Sequence, residues 1–132
     1  MANPSSQHAE IALNKELSIL AVKFLNFTPH EEFRKIVEYE FELIKQYQIK
    51  KMLIDLRLLP VYASGTKEYV KDIWFPTVKK LGLRYTAFIV PEATLAQMAM
   101  NKAHDISDDT NALKINHFKD SGTAKEWLKS QY

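Results

Sequence analysis

The sequence predicts a single α/β domain with a mostly parallel β-sheet. The chain has 132 residues, which is enough for one domain with one core. Short apolar runs bounded by charged or turn residues alternate with longer stretches of helical periodicity. Such alternation favours right-handed crossovers between parallel strands. The predicted order is ββαβαβαβα, with a disordered tail at residues 1–8 and the domain at residues 9–132.

Five strands are expected from the β-favouring apolar runs. The first two, residues 10–13 and 18–24, are joined near Asn14 and Lys15, and a tight turn there makes them an antiparallel hairpin. The later strands are residues 50–56, 84–90 and 113–118. The first strand would form the antiparallel edge of the sheet, and because exposed edges invite pairing, a homodimer is a candidate assembly.

Four helices are expected, at residues 29–48, 66–82, 92–103 and 119–131. The first has the clearest start, because Thr28 can cap it, Pro29 suits the first helical position and Glu31 completes a capping box. Apolar residues then recur mostly every three or four positions, which gives the helix one buried face.

Residues at the ends and in the middle of the other helices modify these predictions. Pro76 lies inside the second helical pattern and should kink or break it near residues 73–75. Gly82 suits the end of that helix. Asp120 or Ser121 is the expected cap of the last helix.

Composition excludes several classes of function. Eighteen basic and 16 acidic residues give a net charge of +2, which offers no electrostatic case for nucleic acid or an acidic membrane. The absence of cysteine excludes disulfides, thiolate nucleophiles and cysteine metal sites. The first ten residues lack the features of a signal peptide, and the apolar runs are far shorter than the ~20 residues of a membrane helix. The expected location is therefore the cytoplasm.

Motifs of catalysis and cofactor binding are missing from the sequence. The three glycines, Gly65, Gly82 and Gly122, form neither a phosphate-binding loop nor a dinucleotide fingerprint. The stretch YASGT at residues 62–66 lacks the first glycine of a nucleophile elbow. No nucleophile, base and orienting group can be assembled, so we expect neither an enzyme nor a cofactor.

The stretch LPVYASGTKEY, residues 59–69, is the best functional candidate. It follows the third strand, and in parallel sheets ligands bind beyond the carboxyl ends of the strands. Tyr62 is an aromatic residue in a loop and suits contact with a partner. Ser64 or Thr66 is expected to cap the next helix. The alternative is that Ser64 is a phosphoacceptor, with its phosphate at the positive end of the helix dipole.

Two further features allow both a structural and a chemical interpretation. Asp55 ends the third strand and could act as acid, base or ligand; we favour a structural role, such as pairing with Arg57 or Arg84. A loop carries metal-ligand types at His104, Asp105, Asp108 and Asp109, which could hold a hard cation. We favour a solvated turn and predict no metal.

An apolar pocket is the alternative to a protein-binding surface. It would lie between the sheet and the helix interrupted at Pro76. Its candidate walls are Trp74, Phe75, Met98 and Met100, because aromatic rings and methionines adapt well to small apolar molecules.

The segment KKMLIDLRLLPVYASGTKEYVKD, residues 50–72, resembles the STAS domain of anti-sigma-factor antagonists, the SpoIIAA-like group. In that family the buried strand leads to an aspartate-serine-serine-glycine loop, whose first serine is phosphorylated by a partner kinase. Here Ala63, Ser64 and Gly65 match the serine-serine-glycine part, and Tyr62 stands in place of the aspartate. Because Ala63 has no hydroxyl, the family's phosphorylation switch is not carried over, and Ser64 matches only the second serine.

Four more motifs extend the resemblance over residues 11–131, to SpoIIAA-like proteins of Bacteroidetes-type bacteria. They are FTPHEEFRKIVE, DLRLL, DIWFPTVKKLGLRYTAFIVP and HFKDSGTAKEWL. The resemblance implies a βα superhelix related to the CRAL-TRIO fold, in members that bind proteins or, as proposed for some, apolar molecules. We therefore expect a non-enzymatic interaction module. Its contact surface would be residues 60–66, with Tyr62 and Tyr69 as anchors and an anti-sigma-type kinase as candidate partner.

Overall fold

Five strands in sequential order form the sheet in the described part of this chain. A computed structural model describes residues 7–101 and 113–131. The strands are β1 (Ala9–Asn14), β2 (Ile19–Phe24), β3 (Lys51–Asp55), β4 (Tyr85–Ile89) and β5 (Lys114–Phe118). Their spatial order is β1-β2-β3-β4-β5. β1 pairs antiparallel with β2, and all the other pairs are parallel. The predicted α/β class, with an antiparallel edge strand, is confirmed.

Helical segments follow β2 and every later strand. They are α1 (His30–Tyr47), α2 (Thr66–Tyr69), a π-helical segment (Val70–Trp74), α3 (Phe75–Lys80), α4 (Glu92–Asn101) and α5 (Ser121–Lys129). Because successive strands are neighbours in the sheet, right-handed crossovers place α1, α2–α3 and α4 on one face. α5 packs on the other face, against β3, β4 and β5. In the ranges described, no helix has the length and apolar character to cross a membrane.

The sheet separates two cores because successive side chains of a strand point to opposite faces. The larger core joins β1–β4 to α1 and to the α2–α3 region, and its buried members include Leu20, Val22, Phe24, Phe33, Ile36, Met52, Ile54, Trp74, Val78 and Phe88. The smaller core joins the sheet to α5 through Ile19, Leu53, Ala87, Ile89, Ala124 and Leu128.

The predicted capping box at the start of α1 is wrong. The helix begins at His30 after Pro29, and no side chain caps it. Thr28 is buried, and its hydroxyl donates instead to the carbonyl of Asn26 over 3.1 Å. Glu31 faces outward and pairs with Arg34 at 3.1 Å. The tertiary burial of Thr28 therefore outweighs a local capping pattern.

The second helix changes its register and is not broken. The backbone stays in the right-handed helical region at Tyr69, Trp74 and Phe75, and the N–H of Phe75 donates to the carbonyl of Val70, five residues earlier. Pro76 has no N–H to continue the α-helical ladder, so its position explains the local π-helical turn. Such turns occur mostly as single interruptions of α-helices and are frequent at functional sites.

Two other predicted helix ends are confirmed. Gly82 has a positive φ of 97° and closes the helix that ends at Lys80, as predicted. Asp120 caps α5 by accepting from the backbone N–H of Thr123 over 2.8 Å. Of the predicted tail, only Gln7 and His8 are described, and the carbonyl of His8 accepts from the N–H of Leu25.

Candidate functional site

The loop between β3 and α2 exposes several apolar side chains at the carboxyl edge of the sheet. Leu58, Val61 and Tyr62 have exposed fractions of 52, 63 and 36%. Leu59 between them is buried, and its N–H donates to the carbonyl of Leu56 over 3.2 Å. Phe27, 46% exposed, follows the neighbouring strand β2. Because β2 and β3 are parallel neighbours, both segments lie at the same edge.

Tyr62 and Tyr69, the predicted anchors, meet on the ring of Phe33 in α1. Both lie edge-on to it, with ring centroids 5.8 Å and 6.4 Å away. Phe33 in turn stacks on Phe24 of β2 at 5.2 Å. Tyr69 also lies edge-on to His30, at 5.7 Å, and is half-buried. Tyr69 is therefore mainly a packing residue, whereas Tyr62 combines ring packing with an exposed side.

Neither Ser64 nor Thr66 caps the following helix, so that prediction is wrong. The N-cap is Gly65, whose φ of 87° lies in the left-handed region, and no side chain bonds to the helix start. Thr66 is fully buried, and its Oγ1 lies 2.8 Å from Nδ1 of His30 in α1. Ser64 is exposed and Ala63 is half-buried. Phosphorylation of Ser64 stays a prediction.

A small cavity lies beneath this loop, among α1, the π-helical segment and the carboxyl ends of β2–β4. Its volume is about 20 Å³, which is room for about one water molecule. The lining residues are Phe24, Phe33, Val37, Glu40, Ile54, Leu56, Tyr62, Val70, Trp74 and Phe88. Of these, Tyr62 is the exposed residue, so its ring stands between the cavity and solvent.

Glu40 brings a carboxyl group into this apolar wall. Its side chain is only 2% exposed, and its Oε1 accepts from the indole N–H of Trp74 over 3.1 Å. Burial raises the pKa of Glu40 from its ordinary 4.5 to about 7, although the hydrogen bond from Trp74 acts in the opposite direction. Burial, with the charge of Glu40 as a second cause, also raises the pKa of Tyr62. Glu40 can therefore change its charge near neutral pH.

Asp55 pairs with Arg57, one of the two partners that the structural interpretation of the sequence suggested. Its two oxygens accept from Nε and Nη2 of Arg57 over 3.1 Å and 2.8 Å, and the backbone N–H of Arg57 adds a third bond of 3.0 Å. Burial alone would raise the pKa of Asp55. The hydrogen bonds from Arg57, with the charges of Arg57 and Lys23, outweigh burial and lower that pKa. The pair holds the start of the loop.

Of the four predicted pocket-wall residues, one lines the cavity, one does not, and two have side chains outside the described residues. Trp74 lines the cavity, and Phe75 lies edge-on to Trp74 at 4.8 Å without lining the cavity. Met98 and Met100 belong to α4, but their side chains lie outside the described residues. The candidate cation loop of His104, Asp105, Asp108 and Asp109 lies outside the described residues as well. Across residues 7–101 and 113–131, no three acidic or histidine side chains gather as a metal site.

Sequence reasoning missed Glu40 and the exposed Leu58, whereas Val61 lies inside the predicted contact surface of residues 60–66. A signal for Glu40 was present, because it shares the helical face of the buried Phe33, Ile36, Val37 and Ile44. A charged residue on an apolar face marks a buried polar group. Leu58 carried no such signal, since its exposure depends on how the loop is folded.

Comparison with known proteins adds no identification to this geometry. The sequence matches no protein-family model and no curated protein. The likeness to STAS domains therefore remains a resemblance of motifs, and any function of the site has to be argued from its own residues.

Proposed function

We propose that this chain is a non-enzymatic, STAS-like binding module that contacts a protein partner through the loop after β3. The observation that supports this most is the exposure of Leu58, Val61 and Tyr62 within five residues of one loop. Exposed apolar side chains that lie together are typical of interaction sites, whereas scattered ones need no explanation.

The loop is also held in a way that favours binding. Arg57 and Asp55 fix its start, and Tyr62 rests edge-on against Phe33. A loop that is already ordered loses less conformational entropy when a partner binds. Aromatic anchors of this kind contribute much of the binding energy at protein interfaces. Tyr62 is therefore the proposed central contact, with Val61 beside it.

The resemblance to STAS domains supports the same loop and suggests an anti-sigma-type kinase as partner. With Ala63 at the family's phosphoacceptor position, such a partner would bind without the usual phosphorylation. The lack of cysteine is compatible with the cytoplasm, where we place the protein.

Self-association is a separate proposal. β1 is an edge of the described sheet, and exposed edges can pair with a second copy. A mass of 15.3 kDa in light scattering at every concentration would contradict a homodimer.

Affinity capture from native lysate with matched baits tests the contact surface. The baits are the wild type, Val61→Ser, Tyr62→Ala and the control Leu17→Ser. Leu17 is an apolar residue, 43% exposed, in the β1–β2 turn at the opposite edge of the sheet. We expect a partner that the wild type and the Leu17 variant retain and both loop variants lose. Identical partners for all four baits would overturn the proposal.

An apolar-ligand function is the second candidate, supported by the five aromatic rings in the cavity wall. At about 20 Å³ the cavity does not hold an acyl chain as it stands, so a lipid would have to displace Tyr62 first. Native mass spectrometry after incubation with a lipid extract tests this. A protein that carries nothing, together with unchanged thermal unfolding in the presence of acyl compounds, would contradict it.

A further inference from the structure

The Glu40 carboxyl has an unused acceptor next to the cavity. Within the part of the chain that is described, its hydrogen bond comes from Trp74 to Oε1. No described lysine or arginine forms an ion pair with it. Oε2 is therefore available to a donor inside the cavity that Glu40 lines. Among the described residues the fully enclosed side-chain atom without a partner is Thr86 Oγ1 and not Oε2 of Glu40, so Oε2 keeps contact with water-sized space.

The walls around this acceptor favour a cation. Phe24, Phe33, Tyr62, Trp74 and Phe88 all line the same cavity. The faces of aromatic rings attract cations, and the attraction grows when the cation is removed from water. An ionised carboxylate buried without a partner is strongly disfavoured, so a cation beside it would stabilise the charged form.

We propose that the Glu40 cavity binds the ammonium end of an unbranched primary amine, which donates an N–H to Oε2. The volume of about 20 Å³ admits the ammonium group and little of the chain attached to it. The remaining chain leaves past Tyr62, the exposed residue of the wall. This size excludes branched and quaternary ammonium groups. The site goes beyond the proposed protein contact and does not depend on it.

The ionisation of Glu40 links amine binding to pH. The groups that face Glu40 are the neutral indole of Trp74 from the π-helical segment, and the phenols of Tyr62 from the loop and Tyr69 from α2. Both phenols have a raised pKa, chiefly because of burial, and stay neutral near pH 7. Glu40 is thus the group that changes charge. Alkylammonium binding should therefore strengthen as the pH rises and Glu40 ionises. Below the pKa of Glu40, binding of the cation should release the proton of this carboxyl.

Nuclear magnetic resonance on the full chain tests the site, with the indole N–H signal of Trp74 as reporter. The probes are n-butylammonium, tert-butylammonium and n-butanol, each added to the wild type, Glu40→Gln and Glu42→Gln. Glu42 lies exposed on the same helix and is the matched charge control. We expect only n-butylammonium to shift the signal, with binding weakened about tenfold or more in the Glu40 variant and unchanged in the Glu42 variant.

Three outcomes would overturn the proposal. Equal binding of n-butanol would assign the cavity to neutral ligands, and equal binding by the Glu40 variant would remove the carboxyl from recognition. The absence of any shift would show that the cavity holds only water. Tyr62→Ala should widen the exit and admit tert-butylammonium. A lysine side chain presents the same group, so tighter binding of Nα-acetyl-lysine amide than of n-butylammonium would identify a protein-borne amine as the source.

Discussion

The indole N–H of Trp74 donates to Oε1 of Glu40 over 3.1 Å, and this bond connects two helices across 34 positions of the chain. Both residues are almost fully buried. The bond gives α1 a specific polar contact with the π-helical segment, in a region where the cavity lining is otherwise apolar or aromatic. The bond also holds the titratable carboxyl of Glu40 in the core, where its ionisation changes the free energy of unfolding.

The first prediction concerns stability and pH in Glu40→Gln. Because the pKa of Glu40 is raised, the folded state holds its proton more tightly than the unfolded state. The wild type should therefore lose stability as pH rises from 4.5 to about 7, by up to roughly 3 kcal/mol. The glutamine variant lacks this loss, so it should be the more stable protein at about pH 8.

Urea unfolding at about pH 5 and about pH 8 measures this difference. Glu42→Gln changes the same charge on the exposed side of α1 and should follow the wild type. Parallel pH profiles for the wild type and Glu40→Gln would show that Glu40 does not titrate in this range.

The second prediction uses one substitution at two buried threonines. Thr86 in β4 is fully buried, and its hydroxyl finds no hydrogen-bond partner in the part of the chain that is described. Thr86→Val removes an unsatisfied group at nearly constant volume and should stabilise the protein by about 1 kcal/mol. Thr66→Val removes the bond to His30 and should destabilise it by about 1 kcal/mol. Thermal unfolding that shifts in the same direction for both would contradict the assignment.

The third prediction contrasts two glycines. Gly65 has a φ of 87°, and a Cβ added there would lie no closer than 4.0 Å to its nearest neighbour, so alanine meets backbone strain and no steric clash. Gly65→Ala should cost about 1 kcal/mol. Gly122 lies in the first turn of α5, with its nearest neighbour at an ordinary 3.5 Å, and alanine should be neutral or stabilising there. Equal losses at both positions in urea unfolding would overturn this reasoning.

The fourth prediction concerns the Asp55–Arg57 pair. Arg57→Gln removes two side-chain hydrogen bonds to a carboxylate that is 9% exposed, and should cost about 1–2 kcal/mol at neutral pH. Because the pKa of Asp55 is lowered, this stabilisation is present above the ordinary value of 3.8. It is lost as pH falls through the folded-state pKa.

Arg34→Gln is the matched control for this pair. Arg34 bonds to Glu31 and Glu38 on the open surface of α1, where all three side chains are at least 43% exposed. Its loss should cost less than about 1 kcal/mol. If denaturation at neutral pH gives equal losses for both arginines, burial does not strengthen the Asp55 pair.

The fold followed from the sequence because its strands and helices carry strong local patterns. The β-favouring runs at residues 51–55 and 85–89 are bounded by charged or turn residues, so their type and order were readable. Helix starts were less predictable. Thr28, Ser64 and Thr66 all have capping side chains. Thr28 is buried and bonds to the carbonyl of Asn26 instead, Thr66 bonds to His30 of α1, and Ser64 stays exposed. A cap is a local preference of about 1 kcal/mol, and burial or a distant partner can outweigh it.

The candidate site was only half readable. Tyr62 and Trp74 were found because aromatic residues near a strand end are typical of binding surfaces and pockets. The cavity between these two residues was not predicted, because Glu40 comes from a different helix and only the folded chain brings it to Trp74. The interruption predicted near residues 73–75 overlaps the π-helical segment Val70–Trp74. Its form, a π-helical turn and not a break, depends on how the neighbouring turns accommodate the missing N–H of Pro76.

The two tryptophans lie on opposite faces of the sheet, so their fluorescence can report the unfolding of each layer separately. Trp74 packs against Phe88 in the larger core, and Trp127 packs against Tyr85 and Phe118 under α5. With one indole replaced by phenylalanine, the fluorescence of the other follows a single layer. Because Trp74→Phe also removes the hydrogen bond to Glu40, each variant's fluorescence melting curve is compared with its own loss of circular dichroism. Coincidence of the two curves in both variants would mean that both layers unfold together.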